Sequence, residues 1–282
     1  MITTTTKDAH RAVRRVFVMA IVNCNSDSFY PQSRAADTEA AVEKALRAVE
    51  DGADIIDIGG ESTRPGAAYI DAEEEGRRVL PVIQGIRRRS NAPISVDTRK
   101  AAVAEAALEA GADIINDISA LEDDPDMGRV CAAHRAKVIL MHKKGAPETM
   151  QNGPFYHDVV AEVAACLQDA AQRALDAGVA RENIILDPGV GFGKRLEDNT
   201  ALIRRLATIR ALGYPVLVGL SRKTFIGELT GKGVEHRLAG SLAANAAAII
   251  AGADIIRVHD VKESVDMVKV LNGVVAETLD NV

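Results

Sequence analysis

Eight short apolar runs rich in β-branched residues constrain this chain more than any other feature. They lie at 16–23, 53–60, 93–98, 112–118, 137–142, 184–189, 215–221 and 253–259, each entered through small or polar residues and left through polar or Gly-rich ones. Between them run stretches of helical period rich in Ala, Glu, Arg and Leu, such as 38–51, 101–110, 159–177 and 238–251. Alternation of this kind predicts parallel strands joined by helices. The pentapeptide Gly-Ala-Asp-Ile-Ile recurs at Gly52, Gly111 and Gly252, each time closing a helix and opening a strand, so one supersecondary unit is reused. Eight βα units in about 260 residues match a closed barrel, for which roughly 250 residues is typical, better than an open doubly wound sheet. The expectation is a single-domain α/β protein, a (β/α)8 TIM barrel over residues 15–282 preceded by a polar tail, 1–14.

Composition narrows the function classes. With 282 residues, 47% hydrophobic and 26% charged, the chain can bury one large core without disulfides. Its 34 basic and 40 acidic residues give a net charge of −6, with neither sign gathered into a block that could track a phosphate backbone, so nucleic acid is not an expected partner. Cys24, Cys131 and Cys166 are an odd number without metal-ligand spacing, the pattern of reduced thiols in a cytoplasmic protein. No stretch approaches the length needed to span a bilayer, and no membrane partner is expected.

In a barrel of this kind the chemistry gathers where the strands finish. The carboxyl ends of the runs read Asn23, Asp57 followed by Glu61-Ser62-Thr63-Arg64, Asp97, Asn116, His142, Asp187, Lys223, and Arg257 with His259. Singly, each is as well explained by local structure: Asp57 or His142 as a cap, Asp97 as the cap of the following helix, Asp187 before Pro188 as a turn former. Arg257 and His259 are harder to dismiss. They lie two apart on an otherwise apolar strand and so share a face, and the guanidinium requires an anion. That anion is either an exogenous phosphate or carboxylate, or a buried partner at Asp57 or Glu61.

Three further patterns suggest a ligand. The Gly-rich stretch 59–66 combines backbone donors, hydroxyls and Arg64, which suits a phosphate. The stretch 189–194 superficially matches a dinucleotide fingerprint but lacks its spacing. It holds Phe192 among glycines, where a flat heterocycle could stack. Asp97, Asn116 and Asp187, with Lys223 as a point charge, match the edge of a ring bearing an amino group, a ring N–H and a carbonyl. There is no metal cage, so any metal would be a hard ion such as Mg2+ shared with a phosphate and held by Asn23 and waters.

Taken together and in order, the motifs Asp57-Ile58-Gly59-Gly60-Glu61-Ser62-Thr63-Arg64-Pro65-Gly66, Ser95-Val96-Asp97-Thr98, Asn116-Asp117-Ile118, Leu186-Asp187-Pro188-Gly189, Gly191-Phe192-Gly193-Lys194, Ser221-Arg222-Lys223 and Arg257-Val258-His259-Asp260 resemble the dihydropteroate synthase family, from residue 16 to residue 272. The resemblance implies condensation of 6-hydroxymethyl-7,8-dihydropterin pyrophosphate with 4-aminobenzoate, giving 7,8-dihydropteroate and pyrophosphate, by a cytoplasmic homodimer using Mg2+. It implies that Asp97, Asn116, Met141, Asp187, Phe192 and Lys223 hold the pterin. Asn23, Arg64, Arg257 and His259 would hold the pyrophosphate, with Asn23 on the metal, and Phe29, Thr63, Pro65, Lys223 and Thr224 the aminobenzoate. The catalytic group would be Asp97, Lys223, Arg257 and His259, under two mobile loops at 25–34 and 61–69. The first loop departs from the family: Asn23-Cys24-Asn25-Ser26-Asp27-Ser28-Phe29 stands where Asn-Val-Thr-Pro-Asp-Ser-Phe is usual. The rival readings are a pterin-binding methyltransferase of the same barrel type and a catalytically silent, pterin-binding or scaffolding paralogue.

Overall fold

The computed structural model describes residues 15–24, 31–62, 69–145 and 153–277. Eight strands follow one another as β1 (Phe17–Asn23), β2 (Ile55–Gly59), β3 (Ile94–Asp97), β4 (Ile114–Asp117), β5 (Lys137–Met141), β6 (Ile184–Asp187), β7 (Leu217–Gly219) and β8 (Ile255–Val258). The helices among the described residues are α1 (Pro31–Glu50), α2 (Ala72–Arg87), α3 (Ala101–Glu109), α4 (Met127–Ala133), α5 (Val159–Asp176), α6 (Leu196–Arg204), α7 (Leu206–Arg210), α8 (Thr224–Thr230), α9 (Leu238–Ala251) and α10 (Val261–Glu277). Every strand falls inside one of the eight apolar runs. All pair in parallel in the order β6-β5-β4-β3-β2-β1-β8-β7. The ring is completed between β6 and β7 by a single bridge, Leu186 to Val216, with the Leu186 N–H donating to the Pro215 carbonyl over 2.9 Å. This is the expected (β/α)8 TIM barrel.

Strand alternation sorts the residues into two cores. Ile56, Ile58, Val96, Ile115, Leu140, Leu186 and Val258 face outward and pack with helix residues such as Val79, Ile83 and Leu167. Met19, Ile55, Ile114, Ile139, Ile185, Leu217 and Ile255 face inward and plug the barrel, with Phe17 packed against them. Two residues further along the strands the same inward parity places Asp57, Asn116, Met141, Asp187 and Arg257, and the apolar plug gives way to charge.

The Gly-Ala-Asp repeat has a mechanical meaning. Gly52, Gly111 and Gly252 have φ of +99°, +108° and +122°, which end α1, α3 and α9. The Ala that follows donates its N–H back to Ala48, Ala107 or Ala248, at 2.9 Å in each case. The Asp then grips the start of the neighbouring strand twice. The Asp54, Asp113 and Asp254 N–H groups donate to the carbonyls of Val18, Ile94 and Val216 over 2.8 Å. Their carboxylates accept the N–H of the same three residues at 2.9, 2.9 and 2.8 Å. The repeat therefore clamps three βα units at the end of the barrel opposite the charged layer.

One expectation is corrected. The first mobile loop does not extend to residue 34, because α1 begins at Pro31, whose fixed φ suits a first helical position. The tail 1–14 lies outside the described residues. Among the described residues, no helix is long and apolar enough to cross a membrane.

Candidate active site

The polar layer centres on Arg257. Its Nε donates to Asp57 Oδ2 over 2.6 Å and its Nη2 to Asp97 Oδ2 over 2.8 Å. Asn116 Nδ2 donates to the same Asp57 oxygen at 3.3 Å, so β2, β3, β4 and β8 are joined in one network. Of the two sources considered for the Arg257 counter-charge, the structure shows an internal one, but with Asp57 and Asp97 rather than Glu61. Glu61 instead accepts from Lys100 Nζ at 2.7 Å and Arg99 Nη2 at 3.3 Å, and its Oε1 takes the Ile70 N–H at 3.3 Å. The Asp57 and Asp97 charges hold Arg257 more firmly protonated than usual despite its burial.

Asp97 does not cap α3. The residue before that helix is Lys100, which offers no side-chain cap, and the Ala101 N–H is taken by Asp124 at 2.8 Å. Burial lifts the Asp97 carboxyl to about 7, opposed by Arg257 and reinforced by the Asp57 charge. Asp187 does form a turn, accepting the Gly189 N–H at 2.7 Å, and it also lines the barrel mouth. Burial raises its pKa, against the Gly189 N–H and Lys223.

Lys223 follows β7 and precedes α8. Its ammonium lies 4.0 Å from the centre of the Phe192 ring, a cation–π contact. Burial lowers its pKa to about 8, opposed by the nearby charge of Asp187. Ser221-Arg222-Lys223 owes its shape to Arg222, whose φ is +58°. Its guanidinium grips Asp260 through two bonds of 2.9 and 2.7 Å, and its N–H donates to Ser241 Oγ at 2.8 Å. Arg222 thus braces the segment, while Lys223 faces the mouth. Ser221 Oγ lies 3.1 Å from His259 Nδ1, placing that exposed ring beside the end of β8.

Asn23 ends β1 at the rim with its Oδ1 above Gly59, where a glycine Cβ would lie 3.8 Å from it. Met141 ends β5, buried and facing inward. Thr224 opens α8 and is exposed. Phe29, Thr63, Arg64 and Pro65, and the loop segments 25–30 and 63–68, lie outside the described residues. The rest of the expected set comes together: Asn23, Asp97, Asn116, Met141, Asp187, Phe192, Lys223, Arg257 and His259 all stand at the carboxyl ends of strands or in the loops that leave them.

Two buried residues do more than the sequence reading assigned them. Asp57, fully buried and one of the two partners expected for Arg257, also takes the Asn116 amide and so ties Arg257 to Asn116. Lys194, 3% exposed, donates to the Gly189 and Phe192 carbonyls at 2.9 and 3.0 Å and lies 2.9 Å from His142 Nδ1. Burial takes Lys194 down to about 7; burial, with the Lys194 charge, takes His142 to about 3, so that imidazole is neutral. His142 is therefore a buried partner of Lys194 rather than a cap.

A family model described as pterin binding enzyme matches residues 19–259. Dihydropteroate synthase of Escherichia coli strain K12 is 46% identical over 256 residues, covering 91% of this chain and 90% of the relative. Among solved structures, Xanthomonas albilineans dihydropteroate synthase with 4-aminobenzoic acid superposes with a TM-score of 0.87 at 46% identity, covering 94% of both chains. The same organism's dihydropteroate synthase in complex with 7,8-dihydropteroate gives 0.83 at 44% identity, covering 94% of this chain and 95% of that one. An inward layer of Asp97, Asn116, Asp187 and Arg257 over an apolar plug, set in a fold and sequence this similar, makes the chain a member of the dihydropteroate synthase family of pterin-binding enzymes.

Proposed function

We propose that this chain condenses 6-hydroxymethyl-7,8-dihydropterin pyrophosphate with 4-aminobenzoate to give 7,8-dihydropteroate and pyrophosphate. The observation that carries the reading is the convergence of Asp97, Asn116, Asp187 and Lys223 beside Phe192, with Arg257 and His259 on the adjoining flank. Ionised carboxylates accept from the amino and ring N–H groups of a pterin, Asn116 both donates and accepts, and Lys223 lies over the ring carbonyl or a ring nitrogen. Phe192 and Met141 supply its apolar walls.

The bond between the exocyclic methylene and the pyrophosphate oxygen breaks as positive charge spreads into the electron-rich dihydropterin. Asp97 stabilises the cationic ring, and Arg257 with His259 stabilises the departing pyrophosphate, before the arylamine nitrogen attacks the methylene and releases a proton to the freed pyrophosphate or water. Arg257 is suited to both halves of the dihydropterin pyrophosphate because it touches Asp97 on one side and is partly open to the rim on the other. Arg64 would add to the pyrophosphate flank, and Phe29, Thr63, Pro65, Lys223 and Thr224 would form the aminobenzoate site.

Mg2+ fits as a companion of the substrate. Among the described residues there is no group of three or more His, Cys, Asp or Glu side chains that could hold a metal. The Asn23 amide oxygen is a hard neutral donor at the rim, suited to an ion carried mainly by phosphate oxygens and water. Bound there, Mg2+ would neutralise charge on the leaving group.

We assign the assembly as a homodimer. Helix α9 buries only Ser241, Asn245 and Ala248 and leaves Ile250 71% exposed, while α10 leaves Val270 and Val274 67% and 64% exposed. These adjacent helices present an apolar face of the kind that a second copy covers.

The decisive experiment is pyrophosphate release by the purified protein with and without 4-aminobenzoate. Amine-dependent release with formation of 7,8-dihydropteroate supports the synthase. A methyl carrier or silent scaffold gives no amine-dependent product.

A further inference from the structure

We propose that Lys194 is a positioning residue that sets the Phe192 wall of the pterin slot, an inference resting on the function proposed above. A desolvated ammonium is expensive unless its donors are saturated, and buried lysines ordinarily find a carboxylate. Lys194 spends its donors differently. Its Nζ lies 2.9 Å from the Gly189 carbonyl, 3.0 Å from that of Phe192, 3.4 Å from that of His142 and 2.9 Å from His142 Nδ1. Both ends of the loop that carries Phe192 are thereby pinned to one point beneath the end of β5.

The rest of the loop is fixed to match. The Gly191 N–H donates to Asn199 Oδ1 at 2.7 Å, and the Tyr156 hydroxyl donates to the Gly193 carbonyl at 2.9 Å. The loop also lies hard against the segment that leaves β5. A Cβ on Gly189 would stand 1.9 Å from the His142 carbonyl oxygen, and one on Gly193 would stand 2.2 Å from that of Lys144. That close approach accounts for the glycines that superficially matched a nucleotide fingerprint. Phe192 is the loop's one large side chain, and it projects to the Lys223 ammonium. Lys194 holds the Phe192 wall through the backbone of this loop, while its charge also acts on Asp187 and Lys223; the Phe192→Ala background separates the two.

The chain has no tryptophan, so Phe192→Trp installs a single fluorescent reporter at the wall itself. In that background Lys194→Met should red-shift the emission and add a fast component to the anisotropy decay, before any ligand is present. In the natural background Lys194→Met should raise KM for dihydropterin pyrophosphate by about tenfold while KM for 4-aminobenzoate stays within about twofold. Combined with Phe192→Ala, the same substitution should cost less than about twofold, because the residue it acts through is gone. Should Lys194→Met not fold, Tyr156→Phe, which removes only the hydroxyl on Gly193, should loosen the reporter and raise the pterin KM in the same direction. An unchanged reporter, or a pterin penalty that persists undiminished in the Phe192→Ala background, overturns the inference. If the unsubstituted chain turns over no dihydropterin pyrophosphate, the proposed function fails instead, and the ligand-free reporter still decides the role of Lys194 in ordering the loop.

Discussion

Asp57 Oδ2 accepts from Arg257 Nε over 2.6 Å, between residues 200 positions apart in the chain, and it does so with no exposure to solvent. Removing it strands a buried guanidinium on Asp97 alone and leaves the Asn116 amide without that acceptor. Asp57→Ala is expected to lower stability by about 2–4 kcal/mol. Urea denaturation measures it, and a loss below about 0.5 kcal/mol would contradict the central place given to this pair.

Ligand contributions should separate by flank. Asp187→Ala should weaken a pterin by about 10- to 100-fold in calorimetry while changing pyrophosphate binding little, since a carboxylate bonded to a ring N–H contributes on the order of 1.5–3 kcal/mol. Arg257→Gln should weaken pyrophosphate more than pterin, although its contact with Asp97 makes some pterin loss unavoidable. Equal losses for both ligands in both variants would refute the assignment.

The pH profile of kcat/KM should be a narrow bell. Asp97 serves the cationic ring only when ionised, so activity falls as pH drops through about 7. Lys223 serves only when protonated, so activity falls again as pH rises through about 8. Lys223→Arg, which does not deprotonate in this range, should abolish the alkaline limb and leave the acid limb in place. An alkaline limb that survives in that variant would assign it to another group.

At the opposite end of the barrel, substitution should cost stability without touching chemistry. Asp254 accepts the Val216 N–H at 2.8 Å and pairs with Arg210 at 3.1 Å. Asp254→Ala should lower stability by about 1–3 kcal/mol, by orphaning a strand-end N–H, with kcat at 25 °C unchanged. A large fall in kcat with unaltered stability would show that the two ends are not separable in this way.

Charge on the α9 and α10 face should oppose association. Ile250→Asp together with Val270→Asp is expected to convert a dimer to monomers in sedimentation velocity, since buried unpaired carboxylates are costly at an interface. Persistence of the dimer would place the interface elsewhere.

The barrel was legible because its signals are local. Parity within each strand separates Ile55 from Ile56, and the Gly-Ala-Asp repeat marks three helix ends. The candidate site was legible as a roster of strand ends, and Asn116, Asp187 and Arg257 stand where the order of motifs places them. What connects to what was not legible. Asp57 reads equally as a strand-end cap or as one of two partners for Arg257, and the choice between Asp57 and Glu61, and the addition of Asp97, is decided only when β8 closes beside β1. Lys194 reads as the tail of a glycine motif, because its acceptors are backbone carbonyls and carry no mark in the residue sequence. Glu61 directly precedes the hydroxyl residues Ser62 and Thr63 in sequence, yet its carboxylate is claimed by Lys100 and Arg99 from the βα loop after β3.

Seven of the eight joints around the ring are full ladders; the joint between β6 and β7 is one stitch. Asp187 stands on one lip of that seam and Lys223 on the other. The gauge of the cleft between them is therefore set at the most yielding point of the circumference, and a flat guest gripped by both lips would act as the rivet that the backbone leaves out.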